Sequence, residues 1–199
     1  MLAGGSSRRA GTLNKLLARD RDGCRMIVRT VTSVLRSRAD DVIVVLGHDA
    51  AAVSAALDAA GLESHGGRLK RVCADDHAEG LAASLRRGMS RAVSCHADSV
   101  LVCLGDMPLV LPATLDRLIA EAATDTQTLA WIPTSNGKRG NPVLWRRPLF
   151  EALLALSGDR GGRLLLQRHQ ARVAELAVDD PGILEDFDTP DRLSRYTGL

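Results

Sequence analysis

Three groups of residues in this sequence are suited to chemistry on phosphates. The first is Leu2-Ala3-Gly4-Gly5-Ser6-Ser7-Arg8-Arg9-Ala10-Gly11, which leads to Asn14-Lys15-Leu16-Leu17. Small residues let backbone N–H groups approach an anion, while Arg9 and Lys15 bring positive charge to triphosphate oxygens. The loop fits neither GxxxxGK[ST] nor GxGxxG, and a polar N-terminus with solvated arginines would have the same composition.

The second group is Asp106, which follows the apolar run Val100-Leu101-Val102-Cys103-Leu104 and a glycine. A hard oxygen at a strand end suits Mg²⁺ on triphosphate oxygens, and a turn-forming aspartate would suit the position equally well. In the third group, Asp186-Phe187-Asp188-Thr189-Pro190-Asp191, alternation directs Asp186 and Asp188 the same way if the chain is extended and turns Phe187 to the core. Thr189 or Asp188 can also cap a last helix over Pro190–Tyr196.

These groups need a scaffold that presents strand ends. Apolar β-type runs at Val42–Leu46, Arg71–Ala74, Ser99–Leu104, Leu129–Pro133 and Arg172–Val178 read as strands. Helical spacing marks Met26–Ser37, Ala50–Ala60, Gly80–Val93, Pro112–Ala123, Pro148–Leu156 and Gly162–Arg168. Such alternation predicts an α/β, Rossmann-like, mostly parallel sheet with helices on both faces. Ligands of such sheets sit beyond the carboxyl ends of the strands, where all three groups fall.

The 199 residues suit a single domain spanning 1–199, with Met1 alone ahead of Leu2 and hence a short or truncated first strand. Hydrophobic residues at 45% and charged residues at 25% exclude a disordered chain, and a net charge of +2 with scattered arginines argues against a nucleic-acid partner. No apolar run reaches membrane-spanning length, so no membrane partner and a cytoplasmic location are expected. Cys24, Cys73, Cys95 and Cys103 lack metal or redox spacing and read as reduced thiols, Cys73 and Cys103 inside strands. The five histidines form no ligand set, and only His77 lies beside a candidate pocket segment.

The N-terminal stretch resembles the signature LA[AG]GxSxRMGxxK of the MobA-like NTP transferases, matching at Leu2, Gly5, Ser7, Arg9, Gly11 and Lys15, with Ala10 in place of methionine. LGDMP at Asp106 and DFDTP at Asp188 resemble the family's two carboxylate motifs, and Ala78-Glu79-Gly80-Leu81-Ala82-Ala83-Ser84-Leu85 its EGLxxSL segment. Lys138-Arg139-Gly140-Asn141-Pro142-Val143 and Gly158-Asp159-Arg160-Gly161-Gly162-Arg163 resemble its RGxPV and GDxGAR loops. The resemblance runs from Leu2 to about Leu193 with the motifs in family order.

It implies a nucleotide-diphospho-sugar transferase-like fold and a nucleotide site of Leu2, Ala3, Gly4, Gly5, Ser7, Arg9, Lys15, Gly80, Ser84 and Asp106. Catalysis would fall to Lys15, Arg9 and Asp106, metal binding to Asp106 and Asp188 with Asp186 in reserve, and acceptor binding to Arg139, Asn141, Asp159 and Arg163. NKLL, LGDMP, GNPV and DFDTP resemble the cytidylyl-transferring branch, from which Gly4 departs because alanine is commoner there. The implied reaction moves CMP from CTP, with Mg²⁺, to the terminal phosphate of molybdopterin, and a molybdoenzyme or its chaperone then receives the cofactor. The alternatives are GTP or another small acceptor, and a non-catalytic cofactor carrier, against which Lys15, Asp106 and Asp188 argue.

Overall fold

A computed structural model describes residues 1–5, 14–63, 65–76, 80–158 and 162–199. β1 (Leu2–Ala3), α1 (Met26–Leu35), β2 (Val42–Leu46), α2 (Ala50–Asp58), β3 (Leu69–Cys73), α3 (Leu81–Ser94), β4 (Ser99–Val102) and α4 (Pro112–Thr124) alternate through the first part of the chain. After them come β5 (Ala130–Ser135), β6 (Lys138–Arg139), β7 (Val143–Arg146), α5 (Phe150–Leu154), α6 (Arg163–Arg168), β8 (Val173–Ala177) and α7 (Pro190–Thr197).

β2 pairs in parallel with β1 and with β3. β1 joins β4 through a parallel bridge from Leu2 to Leu104, with the Leu2 N–H donating to the Cys103 carbonyl at 2.8 Å and the Gly105 N–H to the Leu2 carbonyl at 2.9 Å. β7 runs antiparallel between β4 and β5, and β8 closes the far edge parallel to β5. The order is therefore β3-β2-β1-β4-β7-β5-β8, mostly parallel, with β6 in a hairpin on β5. The chain moves to one side of β1 through β2 and β3 and then crosses to β4 on the other. That reversal makes the carboxyl ends of β1 and β4 the switch point where open α/β sheets bind ligands.

Alternation along the strands fills both faces. Val42, Val44 and Leu46 of β2 pack with Ile27 and Val31 of α1, Leu57 of α2, Leu115 of α4 and Tyr196 of α7. Ala130, Ile132 and Trp145 turn to the opposite face, where Leu85 and Met89 of α3, Leu153 of α5 and Leu165 of α6 cover them. α3 lies so close to β2 that a Cβ on Gly88 would come within 2.9 Å of Val45 Cγ2. Just past the end of α1 the Arg68 guanidinium donates to the carbonyls of Leu35 (3.1 Å), Ser37 (3.1 Å) and Ala39 (2.5 Å), of which Leu35 is the last residue of the helix and has no helical N–H ahead of it.

The main departure from the expected elements is β7. Its Val-Leu-Trp-Arg run follows Asn141-Pro142, and the turn chemistry of those two residues hides a strand of only four residues. β6 and β7 form one returning segment in which Thr134 pairs with Arg139 but Trp131 with Leu144, so a bulge around Gly140–Pro142 separates them. The expected helix over Pro148–Leu156 shortens to α5 behind a 3₁₀ turn at Arg147–Leu149. Cys73 ends β3 but is exposed, because the end of the strand faces the crevice, whereas Cys103 is buried one residue past β4; all four cysteines are free thiols.

Candidate active site

Asp106 sits just beyond β4, where the chain must pass very close to its neighbours. A Cβ on the preceding Gly105 would meet the Leu2 carbonyl oxygen at 3.1 Å and Leu16 Cδ2 at 3.3 Å. The Gly105 carbonyl accepts from Thr30 Oγ1 at 3.0 Å, which pins this turn to α1. Asp106 is thereby directed into the crevice with its side chain only 14% exposed.

Lys15 reaches the same point from the other side of the sequence. It opens a 3₁₀ turn over Lys15–Leu17, capped by Asn14, whose Oδ1 accepts from the Leu16 N–H at 3.1 Å. Asn14 is buried, and its Nδ2 donates to the His48 carbonyl at 3.4 Å, while the His48 N–H donates to the Gly4 carbonyl at 3.3 Å. One residue just beyond β2, His48, thus holds both Gly4 and Asn14, which flank the N-terminal glycine and basic loop. Asn14 belongs to the Asn14-Lys15-Leu16-Leu17 motif, but its part in positioning Lys15 is missing from the motif reading, although an asparagine directly ahead of a helical Lys-Leu-Leu turn is a capping signal.

The Lys15 ammonium donates to Asp106 Oδ2 at 2.5 Å and also to Asp188 Oδ1. Burial is the largest influence on both Lys15 and Asp106, and it penalises each charge. For Lys15 the two carboxylates outweigh burial, so its pKa lies above the usual lysine value. For Asp106 burial and the negative Asp188 outweigh Lys15, so its pKa lies above the usual carboxylate value.

Asp186 and Asp188 do not share a partner as simple alternation suggests. Asp186 pairs with Arg192, whereas Asp188 pairs with Lys15. The segment is not a regular strand, since it turns into α7 at Thr189, whose hydroxyl accepts from the Arg192 N–H at 3.4 Å. Phe187 faces the core as expected, stacked edge-on against Tyr196 with ring centroids 5.3 Å apart.

Around this centre, Leu2 and Ala3 form β1, and Gly4 packs under α3. A Cβ on Gly4 would lie 2.6 Å from Ser84 Oγ, so the buried Ser84 hydroxyl fills the space an alanine methyl would need. Among the described residues nothing lies within 4 Å of a Cβ built on Gly5. Gly80 precedes α3 at φ 108, a backbone conformation that favours glycine. The first turn of α3 is less available to a ligand than expected, because the Ala82 N–H donates to the Gly158 carbonyl at 3.2 Å. Ser7, Arg9, His77 and Asp159 lie outside the described residues.

On the other half of the crevice, the Asn141 N–H donates to the Ile183 carbonyl at 2.9 Å, and Gly140 is pressed against the same residue. The Arg139 guanidinium pairs with Glu175 of β8 at 2.7 Å, a contact it would have to leave to meet an acceptor phosphate. Arg163 is exposed at the start of α6, next to Gly162, which packs on the Trp145 ring.

Two carboxylates that already converge on one cation are a suitable donor set for a hard divalent metal. Among the described residues no cluster of three or more His, Cys, Asp or Glu side chains gathers, so phosphate and water would complete the coordination, the usual habit of Mg²⁺. A Rossmann-like sheet with a lysine and two carboxylates at its switch point is an arrangement suited to nucleotidyl transfer. Residues 1–173 match the MobA-like NTP transferase domain, and the chain belongs to that family.

The purine catabolism protein PucB of Bacillus subtilis is 31% identical over 196 residues, covering 96% of this chain and 90% of that protein. A probable molybdenum cofactor guanylyltransferase of Mycobacterium avium is 29% identical, covering 86% of this chain and 81% of that protein. The crystal structure of Rv0371c from Mycobacterium tuberculosis superposes with a TM-score of 0.80 at 33% identity, covering 98% of this chain and 94% of that one. A manganese complex of Rv0371c gives a TM-score of 0.77 at 31% identity over 98% and 95% of the two chains. No helix among the described residues is long and apolar enough to cross a membrane.

Proposed function

We propose that this enzyme transfers CMP from CTP to the terminal phosphate of molybdopterin, with Mg²⁺, releasing pyrophosphate and forming the cytosine dinucleotide cofactor. The observation that carries the reading is the Lys15 ammonium held between Asp106 and Asp188 at the β1/β4 switch point. A protein that only carried a finished cofactor would have no need of a cation site there. The single domain extends to the C-terminus in this reading, since Asp188 and α7 lie beyond the residues that match the family.

Asp106 and Asp188 would hold Mg²⁺, which would supply positive charge against the negative charge of the triphosphate and of the departing pyrophosphate. An oxygen of the acceptor phosphate bonds to the α-phosphorus of CTP, and the bond from that phosphorus to the pyrophosphate oxygen breaks. The acceptor is already an anion at neutral pH, so no proton has to be removed. Lys15, with Arg9, stabilises the phosphate oxygens, and the rest of the rate comes from positioning. Leu2, Ala3, Gly4, Gly5, Ser7, Gly80 and Ser84 form the nucleotide side; Arg139, Asn141, Asp159 and Arg163 form the acceptor side. The product passes to a molybdoenzyme or its chaperone in the cytoplasm.

The preference for CTP rests on NKLL, LGDMP, GNPV and DFDTP; Gly4 and the mycobacterial relative's name favour GTP as the second reading. Pyrophosphate release with molybdopterin, with and without molybdenum, and each NTP in turn distinguishes them. Release with CTP supports the proposal, release with GTP alone replaces its nucleotide, and release with neither contradicts it.

A further inference from the structure

The Lys15 ammonium occupies the two carboxylates that the proposed reaction assigns to Mg²⁺, and one position cannot hold both cations. We infer that Lys15 is the resident counter-ion of the nucleotide-free protein, so that a divalent metal loads efficiently only when a triphosphate draws Lys15 away. The inference rests on Asp106 and Asp188 being the metal ligands.

Three observations support it. The Lys15 and Asp106 side chains are only 12% and 14% exposed, so the carboxylate is poorly hydrated and depends on a neighbouring cation. The backbone of Lys15 is fixed by the Asn14 cap and by Leu16, which is buried in the core, so an exchange has to occur through the lysine side chain alone. Its flexible four-carbon stem permits that without unfolding the turn. The end of β1 adjoins the end of β4, so triphosphate oxygens bound beyond these strand ends would offer the ammonium new partners on the same edge of the sheet.

The consequence is quantitative. A site whose competent state is only fractionally populated binds its ligand more weakly by that fraction, so an occupancy by Lys15 of about nine in ten lowers apparent metal affinity about tenfold. It also sets an order of binding: metal arrives with the nucleotide, and the metal-only complex stays sparse.

The test is titration of the nucleotide-free protein with Mn²⁺, followed by the resonance signal of free Mn²⁺. Lys15→Met should bind Mn²⁺ at least about tenfold more tightly than wild type. Lys15→Arg, which keeps the cation, should stay weak, and adding Asp106→Asn to Lys15→Met should remove the gain. Equal or weaker binding by Lys15→Met, or a gain that survives Asp106→Asn, would overturn the inference. Lys15→Gln carries the same comparison if the Met variant does not fold, and failure of both to fold would make Lys15 a structural cation and overturn it too. A wrong assignment of the reaction would show instead as absent pyrophosphate release by wild type, with the Mn²⁺ comparison intact.

Discussion

The backbone N–H of Phe187 donates to the carbonyl of Asp106 at 3.2 Å, which locks the C-terminal carboxylate motif onto the turn beyond β4. Phe187 is buried and Asp188 follows it, so the core contact of one residue places the charge of the next beside Lys15.

Asp106→Asn should fold normally and lose at least about 100-fold in kcat, because it removes one preorganised charge from a site where such charges are worth about 3–4 kcal/mol. Asp188→Ala should cost more activity than Asp186→Ala, since Asp186 is engaged with Arg192. Circular dichroism and pyrophosphate release check both, and the reverse ranking would transfer the ligand role to Asp186.

Lys15→Met should lose stability as pH rises from the acid range toward neutrality, and more steeply than wild type. The pKa of Asp106 is raised in the folded protein by burial, so the folded state holds its proton more tightly than the unfolded chain does. Stability from this group is therefore lost as pH climbs from the unfolded value of 3.8 through the raised one. Removing Lys15 takes away the charge that opposes the rise, which deepens the loss. Thermal melts of wild type and variant across that range check the sign; a variant that loses more stability at the acidic end would contradict it.

Gly4→Ala should reduce kcat/KM for the preferred nucleotide, because its methyl would fall 2.6 Å from Ser84 Oγ. Ser84→Ala in the same chain should restore much of the loss. A double-mutant cycle on kcat/KM measures the coupling, and additive effects would mean that the two residues do not share that space.

Tyr196→Phe should lower Tm by about 2–4 °C, since the Tyr196 hydroxyl donates to the Cys24 carbonyl at 3.2 Å and such a bond is worth about 1 kcal/mol. Burial pushes this phenol from 10.0 up to about 12, so the folded protein retains the proton over that range and wild type loses stability there as pH rises. The Phe variant should lack that part of the alkaline decline. Melts at neutral and alkaline pH follow both effects.

Much of the architecture was legible because long periodic segments declare themselves. VIVVL of β2 and the spacing of Met26, Ile27, Thr30, Val31 and Val34 in α1 need no tertiary information. β7 was not legible, because four residues behind Asn141-Pro142 carry no period of their own and gain strand character only between β4 and β5. Asp106 was readable as a strand-end acid and Asp188 as one of two alternating carboxylates. That Lys15 joins them, that Ser84 fills the space beside Gly4, and that Arg139 is held by Glu175 depend on contacts between residues far apart in the chain, which local pattern does not encode.

The most direct measurement of the central claim follows CTP labelled at its α-phosphorus in the presence of Mg²⁺ and molybdopterin. The account predicts that wild type moves the label into a molybdopterin dinucleotide with one pyrophosphate released per transfer, and that Asp106→Asn does so at least about 100-fold more slowly. Label that stays in CTP, or an Asp106→Asn variant that transfers it at the wild-type rate, would contradict the account.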